Sequence, residues 1–232
     1  MRLAAHQLHY LPWLRYFHKI AQADVFVVMD DIQFNRNGWQ NRTRIKHARG
    51  WAHLSVPVFQ KFKQRISEVR IDNTQRWKQK HWKALTESYG RARHLRGLAD
   101  RLEPVYARDW ALLSELSDEL LRVCLDMLNI RTRLVRSSEL KVDGTDSVRL
   151  VNVCKALGAD TYLSGAYAIE TYLDKSVFEE AGIGIAIQEW RCPAYEQLHP
   201  AAGFIPDLSI VDLLFNHGPE SLGILLGREQ SV

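Results

Sequence analysis

Residues 3–42, LAAHQLHYLPWLRYFHKIAQADVFVVMDDIQFNRNGWQNR, contain two apolar segments joined by a polar turn and an amphipathic helix. The first apolar run is short enough for a buried strand, and Pro12 stands where a helix begins, since that position needs no N–H. Apolar residues then recur at helical spacing over residues 13–21, and residues 23–29 form an apolar, β-branched run. Such a run is typical of a parallel strand covered on both faces. The segment therefore predicts a βαβ unit.

Polar side chains follow both predicted strands of this unit. Those after the first strand are His6, Gln7, His9 and Tyr10, and those after the second are Asp30, Asp31 and Gln33. Ligands of open α/β sheets bind beyond the carboxyl ends of the strands, so we expect the two groups to converge on one crevice. The helix start beside it would offer N–H groups and a positive dipole end to a phosphate or carboxylate. The pattern leaves open a packed aromatic corner and a solvated Asp-Asp turn.

The composition is that of an ordinary soluble globular protein. The chain has 232 residues, 46% hydrophobic and 25% charged, which suits one large α/β domain over residues 1–232. We expect a β-hairpin and helical insert within it, at about residues 39–128. The absence of a secretory signal and of an apolar run of about 18 residues predicts a cytoplasmic protein with no membrane segment.

The charge indicates which classes of partner suit the chain, and the cysteines indicate which kinds of cysteine chemistry it can carry. There are 31 basic and 27 acidic residues, giving a net charge of +4, too mild to argue for nucleic acid alone. The basic residues crowd the first half. Such a charge-dense stretch is usually a solvated surface, and otherwise it suits an anionic partner such as a nucleotide, a nucleotide-sugar, the phosphopantetheine of an acyl carrier or RNA. Three separated cysteines make no disulfide framework or metal pair. Cys192 is the candidate nucleophile among them, and we expect Arg191 to lower its pKa.

Strands are predicted over residues 39–46 and 51–58, joined by a hairpin turn at 47–50. Arg42 on the polar face of this hairpin is expected to reach an anion, although an exposed face fits the pattern equally well. Helices follow. The first is predicted to begin after an N-cap at Asn73 or Thr74, to run through Trp77 and Tyr89, and to end at Gly90. His81 is a candidate ligand contact on this helix, although a helix rich in tryptophan is more often simply packed.

A second strand–helix–strand unit is predicted near the middle of the chain. Its strands end at Ser137-Ser138 and at Ser164-Gly165, where hydroxyl groups and a glycine allow a nucleotide to approach the backbone. Ordinary turn chemistry is the alternative. The chain contains no complete GxGxxG or Walker sequence, which disfavours dinucleotide and P-loop sites.

Several segments together resemble the WbqC-like family across nearly the whole chain. They are His6-Gln7, Tyr10-Leu11-Pro12-Trp13, Tyr16-Phe17, Lys19-Ile20, Asp30-Asp31-Ile32-Gln33-Phe34, Trp39-Gln40-Asn41-Arg42, Leu54-Ser55-Val56-Pro57-Val58, and the runs at 158–165 and 208–216. Two departures are Leu8-His9, where the family commonly has Pro-Asn, and Arg15, where it commonly has glycine. The resemblance implies a role in surface-polysaccharide or natural-product assembly.

The order of the opening elements is also similar, more distantly, to nucleotidyltransferases with HIGH-type motifs, such as pantothenate synthetase. That similarity implies a turn histidine that stabilises nucleotide phosphates. His6 would be the first such histidine, and Tyr10 or His9 stands near the place of the second.

These observations predict an α/β enzyme with a Rossmann-like (HUP-type) parallel sheet, a β-hairpin and a helical insert. The predicted activity is nucleotide-dependent acyl or aminoacyl transfer, or condensation, on an amino-sugar or similar acceptor. The sequence leaves the cofactor open, and ATP with Mg²⁺ is the candidate. His6 would stabilise a phosphate or developing anion, Asp30 or Asp31 would act as base or hold Mg²⁺, and Arg42 would clamp an anionic group. The other expected binding residues are Gln7, Tyr10, Gln33, Trp39, Asn41, His81, Ser137, Ser138, Ser164, Gly165, Tyr195 and Gln197.

Two alternatives remain open at this stage. One is a non-catalytic protein that binds a nucleotide-sugar or a carrier. The other is an RNA- or tRNA-binding module that uses the basic hairpin, for which binding would depend strongly on salt.

Overall fold

The computed structural model describes residues 1–36 and 38–228. Its strands are β1 (Arg2–Gln7), β2 (Val25–Met29), β3 (Arg42–His47), β4 (Gly50–Ser55), β5 (Val58–Phe59), β6 (Arg70–Ile71), β7 (Arg133–Arg136), β8 (Thr161–Gly165) and β9 (Gly184–Gln188). Its α-helices are α1 (Leu14–Ala21), α2 (Trp77–Tyr89), α3 (Leu95–Ala107), α4 (Leu113–Met127), α5 (Ser137–Leu140), α6 (Asp146–Leu157), α7 (Ala166–Thr171), α8 (Lys175–Glu180), α9 (Ile210–His217) and α10 (Ser221–Leu225).

The described residues form two compact units. The first consists of Met1–Gln7, His18–Asp31 and Arg131–Arg191, and the second contains the remaining described residues. A single domain over residues 1–232, with an insert at about 39–128, stays a prediction.

A five-stranded parallel sheet forms the centre of the first unit, in the order β7-β2-β1-β8-β9. The chain moves outward from β1 through β2 to β7, then crosses to β8 and β9 on the other side of β1. The strand order therefore reverses between β1 and β8, the position at which doubly wound sheets bind ligands. All five residues of β2 are buried, as its apolar run predicts. The predicted Rossmann-like α/β fold is confirmed.

The second unit contains the predicted β-hairpin and three longer helices. In the hairpin β3 and β4 are antiparallel, with Arg44 opposite His53 and His47 opposite Gly50, which has a φ of +123°. Glycine suits that turn position because it adopts positive φ without a steric penalty. The strand predicted from residue 51 to 58 is divided into β4 and β5, with Pro57 between them. Helix α2 ends at Tyr89 as predicted, but its N-cap is Arg76 and not Asn73 or Thr74, so it begins later than predicted. Helices α3 and α4 pack next to one another.

Within residues 1–36 and 38–228, none of the helices combines the length and the apolar character that crossing a bilayer requires.

Candidate functional site

A buried lysine lies beside the carboxyl end of β1. The Lys19 Nζ donates a hydrogen bond to the Ala5 carbonyl at 3.1 Å, and the residue is only 6% exposed. Among the described residues no carboxylate lies within ion-pair distance of this ammonium, and burial lowers the pKa of Lys19 to about 8. The ammonium also lies 5.9 Å from the centre of the Tyr162 ring, which attracts a cation. An ammonium held out of water without a carboxylate as partner is costly. It is suited to bind an anionic ligand.

His6, the last residue but one of β1, is electrically neutral beside this lysine. Burial, and secondarily the Lys19 charge, lowers the pKa of His6 to about 3. Its Nδ1 lies 3.2 Å from the Gln7 carbonyl, which can only accept, so the neutral ring carries its proton on Nδ1. Lys19, rather than His6, therefore supplies positive charge at this strand end, while Nε2 of His6 presents a lone pair.

The neighbouring end of β8 is formed by Ser164 and Gly165. Ser164 Oγ donates to the Gly165 carbonyl at 3.3 Å, and a Cβ added at Gly165 would meet no atom within 4 Å. Gly165 pairs with Gln188 at the end of β9. The Gln188 Nε2 lies 2.9 Å from Nδ1 of His18. His6 and Gly165 thus lie at the carboxyl ends of β1 and β8, the adjacent strands between which the strand order reverses. Gln188 lies at the end of the next strand, β9.

Asp30 and Asp31 follow β2 and hold the start of α5. Asp30 accepts hydrogen bonds from the backbone N–H and the hydroxyl of Ser138, at 3.1 and 2.8 Å. Asp31 accepts from the Ser137 hydroxyl at 2.5 Å and forms an ion pair with Arg149. Both carboxylates therefore bind groups of the protein, which fixes the turn after β7. Their roles as a base or Mg²⁺ ligands stay predictions.

Among the described residues, no three His, Cys, Asp or Glu side chains are grouped so that they could hold one metal ion.

In the second unit the predicted residues Tyr10 and His81 are joined in a buried hydrogen-bonded chain. His81 Nε2 lies 3.2 Å from the Ser55 carbonyl, an acceptor, so Nε2 carries the proton and Nδ1 accepts from the Tyr10 hydroxyl at 2.8 Å. The Tyr10 oxygen in turn accepts from Tyr106 at 2.5 Å. Burial lowers the pKa of His81 to about 4, so the ring is neutral at pH 7. These hydrogen bonds connect α2 and α3 to the segment that follows β1, within this unit.

Removing one hydroxyl from the hydrogen-bonded chain of Tyr10, His81 and Tyr106 should lower the stability of the protein, and it changes no residue of the sheet in the first unit. Tyr10→Phe leaves the His81 Nδ1 and the Tyr106 hydroxyl each short of a partner in a buried place. We expect the free energy of unfolding to fall by about 1.5 kcal/mol, measured by urea denaturation. Tyr167→Phe, at a 71% exposed tyrosine, is the matched control and should leave stability unchanged.

Tyr195 and Gln197 belong to a second buried network of the same unit. Asp212, which is fully buried, accepts from Tyr89 at 2.9 Å and from Tyr195 at 2.8 Å. The Lys46 Nζ donates to Gln197 Oε1 at 3.1 Å and to the Gly203 carbonyl at 2.7 Å. Burial raises the pKa of Asp212 and lowers that of Lys46, and each charge opposes the effect of burial on the other. The network joins β3, α2 and α9.

The remaining predicted residues of the second unit lie near the hairpin. The Arg42 guanidinium is 5.4 Å from the centre of the Trp39 ring, and Asn41 donates its amide to the Val56 carbonyl at 2.9 Å. Gln33 forms an isolated antiparallel bridge with Arg65. Their ligand contacts stay predictions.

The expectation that Cys192 has a lowered pKa is wrong. Burial is the largest influence and raises the pKa of its thiol, while Arg15 opposes that effect. The Asp207 N–H donates to the Cys192 sulfur at 3.3 Å. A thiol of raised pKa is a poor nucleophile at neutral pH, because the thiolate is the reactive form.

The predicted residues thus divide between the two units. The first unit contains His6, Gln7, Asp30, Asp31, Ser137, Ser138, Ser164 and Gly165, and the second contains Tyr10, Gln33, Trp39, Asn41, Arg42, His81, Tyr195 and Gln197. Sequence reasoning missed Lys19, Lys46 and Asp212. Lys19 belongs to a segment that carries the family resemblance, which was the available signal. The burial of Lys46 and Asp212 had no local signal.

Comparison with known proteins agrees with the resemblance drawn from the sequence. The model of the WbqC-like protein family matches residues 7–224 of the chain. A relative in Mycobacterium tuberculosis, which carries the name "Uncharacterized protein Rv1507c", is 38% identical over 224 residues, covering 95% of each chain. Neither name specifies a reaction. The similarity to HIGH-type nucleotidyltransferases stays a prediction.

Proposed function

The chain belongs to the WbqC-like protein family, and on that premise we propose that it is a transferase or ligase that uses a nucleotide. It would bind the phosphates at the carboxyl ends of β1 and β8 and transfer an acyl or aminoacyl group to an amino-sugar or similar acceptor. The observation that carries this proposal is the buried Lys19 ammonium, which has a carbonyl partner but no carboxylate among the described residues. A phosphate would provide the missing negative charge at the position where α/β sheets bind ligands.

The proposed reaction has two steps. A substrate carboxylate attacks the α-phosphorus of ATP and releases pyrophosphate, and the acceptor amine then attacks the activated carbonyl, loses a proton and releases AMP. Lys19 would stabilise the negative charge on the phosphate oxygens. Nε2 of His6 would accept a hydrogen bond from the acceptor. A phosphate bound to Lys19 would offset the charge that lowers the pKa of His6, although burial, the larger cause, would remain.

Thermal unfolding with candidate nucleotides tests the proposal. ATP, CTP and a nucleotide-sugar, each with and without Mg²⁺, are compared on the wild type, Lys19→Met, His6→Ala and Lys155→Met. A ligand at a hundredfold excess over its Kd adds about 2.7 kcal/mol of stability, or about 5–10 °C in Tm for a chain of this size. We expect one nucleotide to give this shift in the wild type and to give little in Lys19→Met. Each shift is taken from that variant's own Tm.

The control variant Lys155→Met removes an exposed lysine of the same unit and should retain the full shift. Equal shifts in Lys19→Met and the wild type would contradict the proposed site. Release of AMP and pyrophosphate in the presence of acyl donors then separates an enzyme from a binding protein. Binding without turnover across the donors tested would favour the non-catalytic alternative.

A further inference from the structure

A cavity of about 150 Å³ in the second unit has aromatic walls and charged polar groups. The indoles of Trp13 and Trp39, both half-buried, line it and lie with their ring centres 5.5 Å apart, edge to face. A cavity of roughly 150 Å³ has the capacity for a single six-membered ring. Partly exposed indoles offer a flat apolar surface on which the C–H face of a ring can pack.

Arg44 supplies a donor that the protein itself leaves unused. Its guanidinium lies 5.4 Å from the ring centres of Trp39 and of Trp51 and donates through one terminal nitrogen to the Asp207 carbonyl at 3.4 Å. The Arg44 Nε is buried and has no hydrogen-bond partner among the described residues. A buried N–H without a partner is costly, so a ligand acceptor at this point would be favoured.

The other polar groups that line the cavity are two hydroxyls, which can accept hydrogen bonds, and an ion pair. The hydroxyls of Thr43 and Ser209 both donate to the Leu11 carbonyl, at 2.7 and 3.0 Å, so their oxygens can accept from a ligand. Asp207 forms an ion pair with Arg15 at 3.1 Å. Two guanidiniums and one carboxylate line the cavity, which gives it an excess of positive charge.

We propose that this cavity binds an acidic sugar, that is, a six-membered polyhydroxylated ring carrying a carboxylate or a phosphate. The ring would lie against the indoles, its hydroxyls would donate to Thr43 and Ser209, and its anionic group would accept from the Arg44 Nε. The Arg44 guanidinium fits either anion because its planar donors match carboxylate and phosphate oxygens. This proposal goes beyond the nucleotide site, since it requires neither Lys19 nor ATP.

Titrations followed by saturation-transfer NMR test the proposal with three probes: glucuronate, glucose 6-phosphate and methyl glucoside. We expect at least one acidic sugar to bind, with its strongest saturation on ring C–H protons, and the neutral glucoside to bind at least about tenfold more weakly. The two acidic probes distinguish a carboxylate ligand from a phosphate ligand. Binding of neither acidic probe to the folded wild type would overturn the proposal, as would equal affinity for methyl glucoside.

Arg44→Met should weaken binding of the acidic sugar at least about tenfold, because it removes a charged hydrogen bond. Arg49→Met, which removes an exposed arginine of the same hairpin, should stay within twofold of the wild type. If Arg44→Met does not fold, Arg44→Lys keeps the charge but lacks the Nε donor and should still weaken binding. Undiminished binding in a folded Arg44 variant would overturn the proposal. Sugar binding is measured without a nucleotide, so this outcome is independent of the nucleotide experiment.

Discussion

Replacing Asp212 with alanine is expected to lower the free energy of unfolding by about 4 kcal/mol. The carboxylate is fully buried and accepts from both Tyr89 and Tyr195. Burial raises the pKa of Asp212, and the two hydrogen bonds and the Lys46 charge oppose that effect. Its removal leaves two phenols without an acceptor and the Lys46 ammonium without a nearby negative charge. Removing one member of a buried, hydrogen-bonded charge network costs more than its net contribution to stability, because the other members stay desolvated.

Urea denaturation of Asp212→Ala at neutral pH measures this loss. Asp212→Asn, which keeps an acceptor for one tyrosine and removes the charge that burial disfavours, should lose only about 1 kcal/mol. Asp100→Ala, at an exposed position of α3 in the same unit, should leave stability unchanged. Because both variants remove the negative charge, a loss in Asp212→Ala no larger than that of Asp212→Asn would show that the two tyrosines do not need the acceptor, and it would contradict the prediction.

The parallel sheet could be predicted because its determinants are local. The β-branched run of β2 and the helical spacing before it lie within one segment of the chain. A fully buried strand requires a continuous apolar run, and a helix with one buried face requires apolar residues every three or four positions. The same holds for the hairpin turn, where Gly50 adopts positive φ. Element bounds shifted by a few residues, because hydrogen bonding rather than hydrophobic pattern decides where a strand ends.

Candidate site residues stood out in the sequence mainly where a strand end marked them, and their roles stay predictions. Asp212 looks, in sequence, like an acidic residue in the first turn of a helix, whereas its partners lie 123 and 17 residues away along the chain. Lys19 was equally hidden, since every residue of α1 from Tyr16 to Ile20 is buried and periodicity cannot single one out. Long-range contacts and burial on all sides leave no trace in a local pattern.

Lys19→Met is expected to stabilise the protein at pH 7 by between about 2 and 3 kcal/mol, the second largest effect that we predict. Burial lowers the pKa of Lys19 from 10.5 to about 8. At about 1.4 kcal/mol for each pKa unit, holding this charge in the folded protein costs about 3 kcal/mol at neutral pH. Methionine fills a similar volume without the charge, and the lost hydrogen bond to Ala5 offsets about 1 kcal/mol of the gain.

The pH dependence of this gain distinguishes a buried charge from a packing effect. Below pH 8 the lysine is protonated in both the folded and the unfolded protein, so the full cost is present. Between pH 8 and 10.5 the unfolded chain binds more protons than the folded one, so wild-type stability rises with pH. The advantage of Lys19→Met should therefore shrink by more than half between pH 7 and about pH 9.5, while Lys155→Met should match the wild type throughout. If the advantage does not depend on pH, the difference in stability between the two proteins comes from packing and not from the desolvated ammonium. That result would remove the main support for an anion site at the end of β1.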